Sequence, residues 1–143
     1  RVSNLVKKYG TCDQYQLAKE LGITVMQLYL PECVSGFIVR ILGRKYIVLN
    51  KSLSEINQKV VLCHELGHAH LHLKYGYYYT FGDTYLSLTK KEFEANEFAA
   101  YLLSYTCDID CNLIPYIIKH KTPDSDIFHH IFTQLVTNSI QEV

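Results

Sequence analysis

Residues 64 to 68 read His64-Glu65-Leu66-Gly67-His68, a set of side chains in an order that can do chemistry. On a helix, positions i and i+4 project from one face one turn apart, so both imidazoles can reach a single metal ion with Glu65 beside them. The chemistry expected of such a set is hydrolysis, with one Zn2+ as Lewis acid and Glu65 as the base that takes a proton from water.

A catalytic zinc needs three protein ligands and an open position, so something must join His64 and His68. A third histidine six residues beyond His68 is excluded, because position 74 is Lys. Glu92 is the expected third ligand. It lies 24 residues downstream of His68 in a helical segment, Thr89 to Tyr105, on whose wheel Glu92, Ala95, Asn96, Ala99 and Leu102 share a face. The small residues of that face permit close approach of another helix, and Asn96 could hydrogen-bond the outer nitrogen of a ligating histidine. Glu92 also fits a capping box with Thr89, in which it would only reach back to the Thr89 backbone. Glu94 is the reserve candidate although its wheel position is turned towards solvent, as is that of Glu97, and Asp83 is a weaker candidate. His72, one turn beyond His68, would support the site or act as an ordinary capping or core histidine, and the sequence favours the ordinary role. An oxyanion forming in the reaction needs a donor, for which Tyr101, a loop tyrosine or a histidine would serve. His120, His129 and His130 have no paired spacing to recommend them.

These residues need elements to position them. Ser54 is a plausible N-cap for a helix that runs from Glu55 through the histidines with no Pro, and with no Gly before Gly67. Ile56, Val60, Cys63, Gly67 and Leu71 fall on one apolar stripe, and His64, His68 and His72 line another, which predicts a buried helix. Glycine inside a helix costs about 1 kcal/mol against alanine, so Gly67 implies that something packs closely there. Upstream, Ser3 to Tyr9 closed by Gly10 and Asp13 to Leu21 closed by Gly22 read as short helices. Ile23 to Leu30 reads as a strand, and Gly36 to Leu42 with Lys45 to Asn50 reads as a hairpin. Residues 75 to 85 form an aromatic loop whose rings would cover the core or wall a substrate site. Two further helices are expected at about Cys111 to Lys121 and Ser125 to Gln141. The fold class is therefore α+β: a small three-stranded antiparallel or mixed sheet packed on the histidine helix and a Glu-bearing helix, with C-terminal helices beyond.

Composition bounds the function. The chain has 143 residues, 48% hydrophobic and 20% charged, enough for one sizeable core and too few for two ordinary domains, so a single domain over 1–143 is expected. Fourteen basic and 14 acidic residues are interspersed with a formal net charge of zero, which argues against a broad nucleic-acid footprint. No run of 18 apolar residues exists, and the first residues carry charges where a signal peptide would be apolar, so no membrane partner and a cytoplasmic location are expected. The five cysteines are odd in number and fit no zinc-finger or disulfide spacing, which reads as reduced thiols.

On these residues the sequence resembles the ImmA/IrrE family of small metallopeptidases. In that family a helical H-E-L-G-H-x-x-x-H segment follows a small sheet and is followed by E-x-x-A-N-x-F-A-x-x-L-L. Here these are His64 to His68 with His72, and Glu92-Phe93-Glu94-Ala95-Asn96-Glu97-Phe98-Ala99 running into Leu102-Leu103. Tyr9-Gly10, Leu17 to Ile23 and Ile47-Val48-Leu49-Asn50 are also similar, so the resemblance spans about 5–105 and leaves 106–143 as a helical extension. It implies a gluzincin-like site with Glu92 as third ligand, a protein substrate, and often a role in clearing a phage or mobile-element repressor. Many relatives follow the Leu-Leu pair with Met-Pro, where this chain has Ser104-Tyr105.

Two readings of other classes compete. Gln14 to Leu30 resembles a helix-turn-helix, which would make the chain a DNA-binding module, yet Val25 to Pro31 offers no basic residue for phosphates and reads better as a strand. Alternatively the metal site is closed and structural, in a domain that binds a partner without cutting it. Glu65 discriminates, because a structural site has no use for a carboxylate beside an open position.

Overall fold

In the computed structural model, which describes residues 2–32, 34–41, 43–72, 85–106 and 111–118, two short helices lead into a sheet and then into two long helices. Helix α1 spans Val2–Tyr9 and α2 spans Gln14–Glu20. Asp13 starts α2 as its N-cap, with a carboxylate oxygen accepting from the Gln16 N–H at 2.9 Å. Three strands follow, β1 (Ile23–Leu28), β2 (Gly36–Ile41) and β3 (Arg44–Asn50), in the spatial order β1-β3-β2.

The sheet is mixed. β2 and β3 form the expected hairpin, antiparallel and closed at the pair Ile41 and Arg44, with Gly43 at φ +78° in the left-handed region that suits a tight turn. β1 lies parallel to the far edge of β3, from Ile23 beside Lys45 to Leu28 beside Asn50. The seven-residue connection from β1 to β2 is tied down by Asn50, whose side-chain amide donates to the carbonyls of Leu30 at 3.2 Å and Val34 at 3.0 Å. Leaving those buried carbonyls unsatisfied would cost about 1–3 kcal/mol each, so a single polar side chain fixes the crossover that places β1.

β3 is buried on both faces, as a central strand must be. Ile47 and Leu49 join Ile23 and Ile38 under the helices, while Tyr46 and Val48 pack with Leu30, Val34 and Phe37 on the other face. Helix α3 (Glu55–Leu71) crosses the first face, capped by Ser54, whose hydroxyl accepts from Asn57 N–H at 3.1 Å. Every residue from Val60 to Ala69 is buried, which confirms the expected buried helix. Ile56, at the exposed first turn, is 50% accessible and drops out of the stripe.

Helix α4 runs from Tyr85 to Leu103, four residues longer at its start than the sequence suggests. Thr89 is therefore inside the helix and not at its N-cap, which removes the capping-box role for Glu92. The face predicted for contact makes it: Ala95, Ala99 and Leu102 are fully buried against α3. Gly67 is the reason the helices approach so closely. A Cβ built on it would lie 3.0 Å from Phe98 Cβ, 3.1 Å from Ala95 Cα and 3.2 Å from the Ala95 carbonyl oxygen. Two of those atoms are backbone and can yield only if α4 moves. Gly67→Ala should therefore lower stability, because overpacking of about 1–3 kcal/mol exceeds the helix-propensity gain of about 1 kcal/mol. A urea or thermal melt checks this, and a raised midpoint would show that the helices are free to separate.

Past α4 the expected helix from Cys111 to Lys121 is much shorter. A 3-10 turn at Cys111–Leu113 leads into α5 (Ile114–Ile117), and Ile118 is already extended at φ −76°, ψ 122°. Ile114 is buried against α3 and α4 and anchors this segment. Residues 75–84 of the expected aromatic loop, with Asp83, the helix at Ser125 to Gln141, and His120, His129 and His130 lie outside the described residues. Because Val25–Leu28 is strand, α2 has no recognition helix after it, and the helix-turn-helix reading fails on the backbone. Among the described residues no helix is long and apolar enough to cross a membrane.

Candidate metal centre

His64 and His68, one turn apart on α3, present their Nε2 atoms to each other at 3.1 Å. Glu92 on α4 closes the triangle, with Oε1 2.9 Å from His68 Nε2 and Oε2 3.1 Å from His64 Nε2. Among the described residues these three form the group of potential ligands whose donor atoms converge, all within 4.8 Å of one another. The imidazoles are fully buried and the Glu92 side chain is 26% accessible, so the triangle has a dry back and an open front.

The donor set fits a zinc ion. Bonds of about 2.0–2.1 Å in tetrahedral geometry separate adjacent ligand atoms by about 3.3 Å, close to the spacing found here. Two imidazole nitrogens facing each other can share at most one proton between them, whereas a cation in front of the triangle satisfies both lone pairs and the carboxylate together.

The outer nitrogens show how the rings are held. His64 Nδ1 lies 2.7 Å from Asn96 Oδ1. An amide oxygen only accepts, so His64 carries its proton on Nδ1 and turns the Nε2 lone pair towards the triangle. Asn96 is one turn after Glu92 on α4, so that helix supplies both the carboxylate of the triangle and the acceptor behind the His64 ring. His68 Nδ1 lies 2.9 Å from His72 Nδ1, and His72 is the C-cap of α3, its backbone N–H donating to the His68 carbonyl at 2.8 Å. His72 thus takes the capping position that the sequence offered and lays its ring against His68.

Glu65 is 1% accessible on the same helix and close enough for its charge to act on His68. Glu94 is not gathered into the triangle. It faces His72, with Oε2 3.7 Å from Nε2, and lines a cleft of about 500 Å³ together with Tyr101, Glu97 and Phe98. Tyr101 is 61% accessible and nine residues after Glu92, which at about 100° per residue puts it on the opposite side of α4 from the triangle. The pairing of Glu94 with His72 is what sequence reasoning missed; the signal was that the end of α3 must pass alongside α4 if Glu92 is to reach His64 and His68.

Burial holds the His68 imidazole below the ordinary value of 6.5, against the opposing pull of Glu92 and Glu65. His72 is lowered for the same leading reason, opposed by Glu94. The sign of the consequence is fixed. Between the lowered folded values and 6.5 the unfolded chain binds protons that the folded chain refuses, so the contribution to stability is complete above 6.5 and is lost as the pH falls from there. Melts of the metal-free protein should move to lower temperature as the pH drops from about 7.5 to about 5; a flat profile would contradict neutral, buried imidazoles.

Comparison with known proteins agrees with this arrangement. No solved structure matches the chain. A protein named uncharacterized immunity region protein 2, of Bacillus phage phi105, is 39% identical over 102 residues, 71% of this chain and 65% of that protein. The chain thus spans just under two thirds of that relative's length. Residues 16–110 match the IrrE N-terminal-like domain of the M78 peptidases, a stretch that holds the sheet, both long helices and every residue of the triangle. The chain therefore belongs to the ImmA/IrrE family of metallopeptidases.

Proposed function

We propose that the chain is a zinc-dependent endopeptidase that cleaves a protein substrate, with a regulator such as a phage or mobile-element repressor as the favoured class. The observation that carries this reading is the convergence of His64, His68 and Glu92 from two helices, beside the buried Glu65. The repressor class is consistent with the likeness to the immunity region protein of phage phi105. A cytoplasmic setting goes with such a substrate and with Cys12 and Cys63 being thiols.

His64, His68 and Glu92 would hold the zinc. A zinc ion there supplies Lewis acidity, lowering the pKa of water to about 7 and polarising the scissile carbonyl. Asn96 keeps the His64 Nε2 lone pair available for coordination. Glu65 takes a proton from the water whose oxygen bonds to the carbonyl carbon, and returns it to the amide nitrogen as the C–N bond breaks, so the leaving group departs as a neutral amine. The substrate would lie extended along the edge strand β2, adding a strand to the sheet.

The test is to load purified protein with zinc, incubate it with a proteome-derived mixture, and read new N-termini by mass spectrometry. Cleavage that a chelator abolishes and zinc restores is expected. Tight zinc binding without any cleavage, including that of a co-expressed repressor, would favour the non-catalytic reading.

A further inference from the structure

We infer that His72 and Glu94 are positioning residues for His68, a relay that orients this ligand by a means different from the one that serves His64. The inference rests on His64, His68 and Glu92 holding a metal. His64 has a plain acceptor behind it, the Asn96 amide oxygen. His68 has another imidazole, 2.9 Å away from Nδ1 to Nδ1, and an imidazole nitrogen can either donate or accept.

The ambiguity has one metal-competent solution. If His72 donated from Nδ1, His68 Nδ1 would be the acceptor, its proton would move to Nε2, and that nitrogen could not ligate. His68 must therefore donate from Nδ1 to His72 Nδ1, and the proton of neutral His72 must sit on Nε2. The group facing His72 Nε2 is the Glu94 carboxylate, Oε2 at 3.7 Å, which favours a proton on that nitrogen. Glu94 lines the cleft beside Tyr101 and Glu97, and its side chain is 32% accessible. Lys91, whose charge also acts on His72, is the opposing group on the same helix. His72 is 4% accessible and its backbone is fixed to the His68 carbonyl, so the ring has little freedom to adopt another role. The relay runs Glu94 carboxylate, His72, His68, and α4 thereby controls both ligand imidazoles of α3: His64 directly through Asn96, His68 indirectly through His72.

Zinc affinity measured by competition with a chromophoric chelator, together with proton NMR of the zinc-loaded protein, tests this. His72→Phe should weaken zinc binding about 10- to 100-fold, and the exchange-protected His68 Nδ1–H signal of the wild type should be lost. Glu94→Gln, at a partly exposed position that leaves the fold intact, should weaken binding about two- to fivefold and move the same signal. His72→Asn places an acceptor oxygen as many bonds from Cα as His72 Nδ1, so it should recover most of the affinity that His72→Phe loses. In that background Glu94→Gln should have no further effect. The inference is overturned if Glu94→Gln leaves both affinity and signal unchanged, or if it weakens zinc binding equally with and without His72. Failure of the wild-type protein to bind zinc would instead overturn the proposed function, and the relay with it.

Discussion

Glu65→Gln is expected to keep one zinc per chain and lose about 10²- to 10⁴-fold in peptide cleavage, the range that a positioned proton acceptor supplies. The substitution is nearly isosteric at a position that is 1% accessible, so the packing of α3 is preserved and His64 and His68 keep their places. Glutamine cannot accept the proton that water must give up before its oxygen bonds to the carbonyl. The measurement pairs zinc content with cleavage in the same preparation. Undiminished cleavage by Glu65→Gln would end the assignment of Glu65 as base, and loss of zinc would show that it belongs with the ligands.

His64→Ala should have a different signature, with zinc and cleavage disappearing together. It removes one of three converging donors, so zinc affinity should fall by more than the roughly 10- to 100-fold that loss of an outer hydrogen-bond partner costs. Asn96→Ala supplies that comparison, because it leaves all three donors and removes only the acceptor that fixes the His64 tautomer. The order expected in chelator competition is wild type, then Asn96→Ala, then His64→Ala. Equal affinity for the last two would mean that His64 is dispensable and that the triangle is not the metal site.

Much of this was legible in the sequence for physical reasons. His64 and His68 could be paired because helical geometry is local, and Ser54 and Gly67 announced the start of α3 and its close neighbour. Glu92 and Asn96 could be placed on one face of α4 by counting, since a wheel needs only the period of 3.6 residues. The hairpin of β2 and β3 was visible because its partners are adjacent in the chain. What depends on pairing between distant segments was not visible. β1 runs parallel to β3 and not beside β2, an arrangement settled by the side chain of Asn50 and by apolar contacts on both sheet faces. Glu94 looked like a solvated residue turned away from Glu92, and only the lateral position of His72 at the end of α3 gives it a partner. The start of α4 was misplaced because Thr89 and Glu92 match a capping pattern that also occurs inside helices.

The donors of the triangle sit on two helices, with the chain between them 24 residues long from His68 to Glu92. An ion held there would act as a removable staple. A ligand that binds only the folded chain adds about 4 kcal/mol of stability at a free concentration a thousandfold above its dissociation constant. That is a large share of the roughly 5–15 kcal/mol that holds a typical domain together. The supply of zinc would then decide how long each copy survives proteolysis as well as whether it can cut, and starvation for the ion would deplete the protein itself.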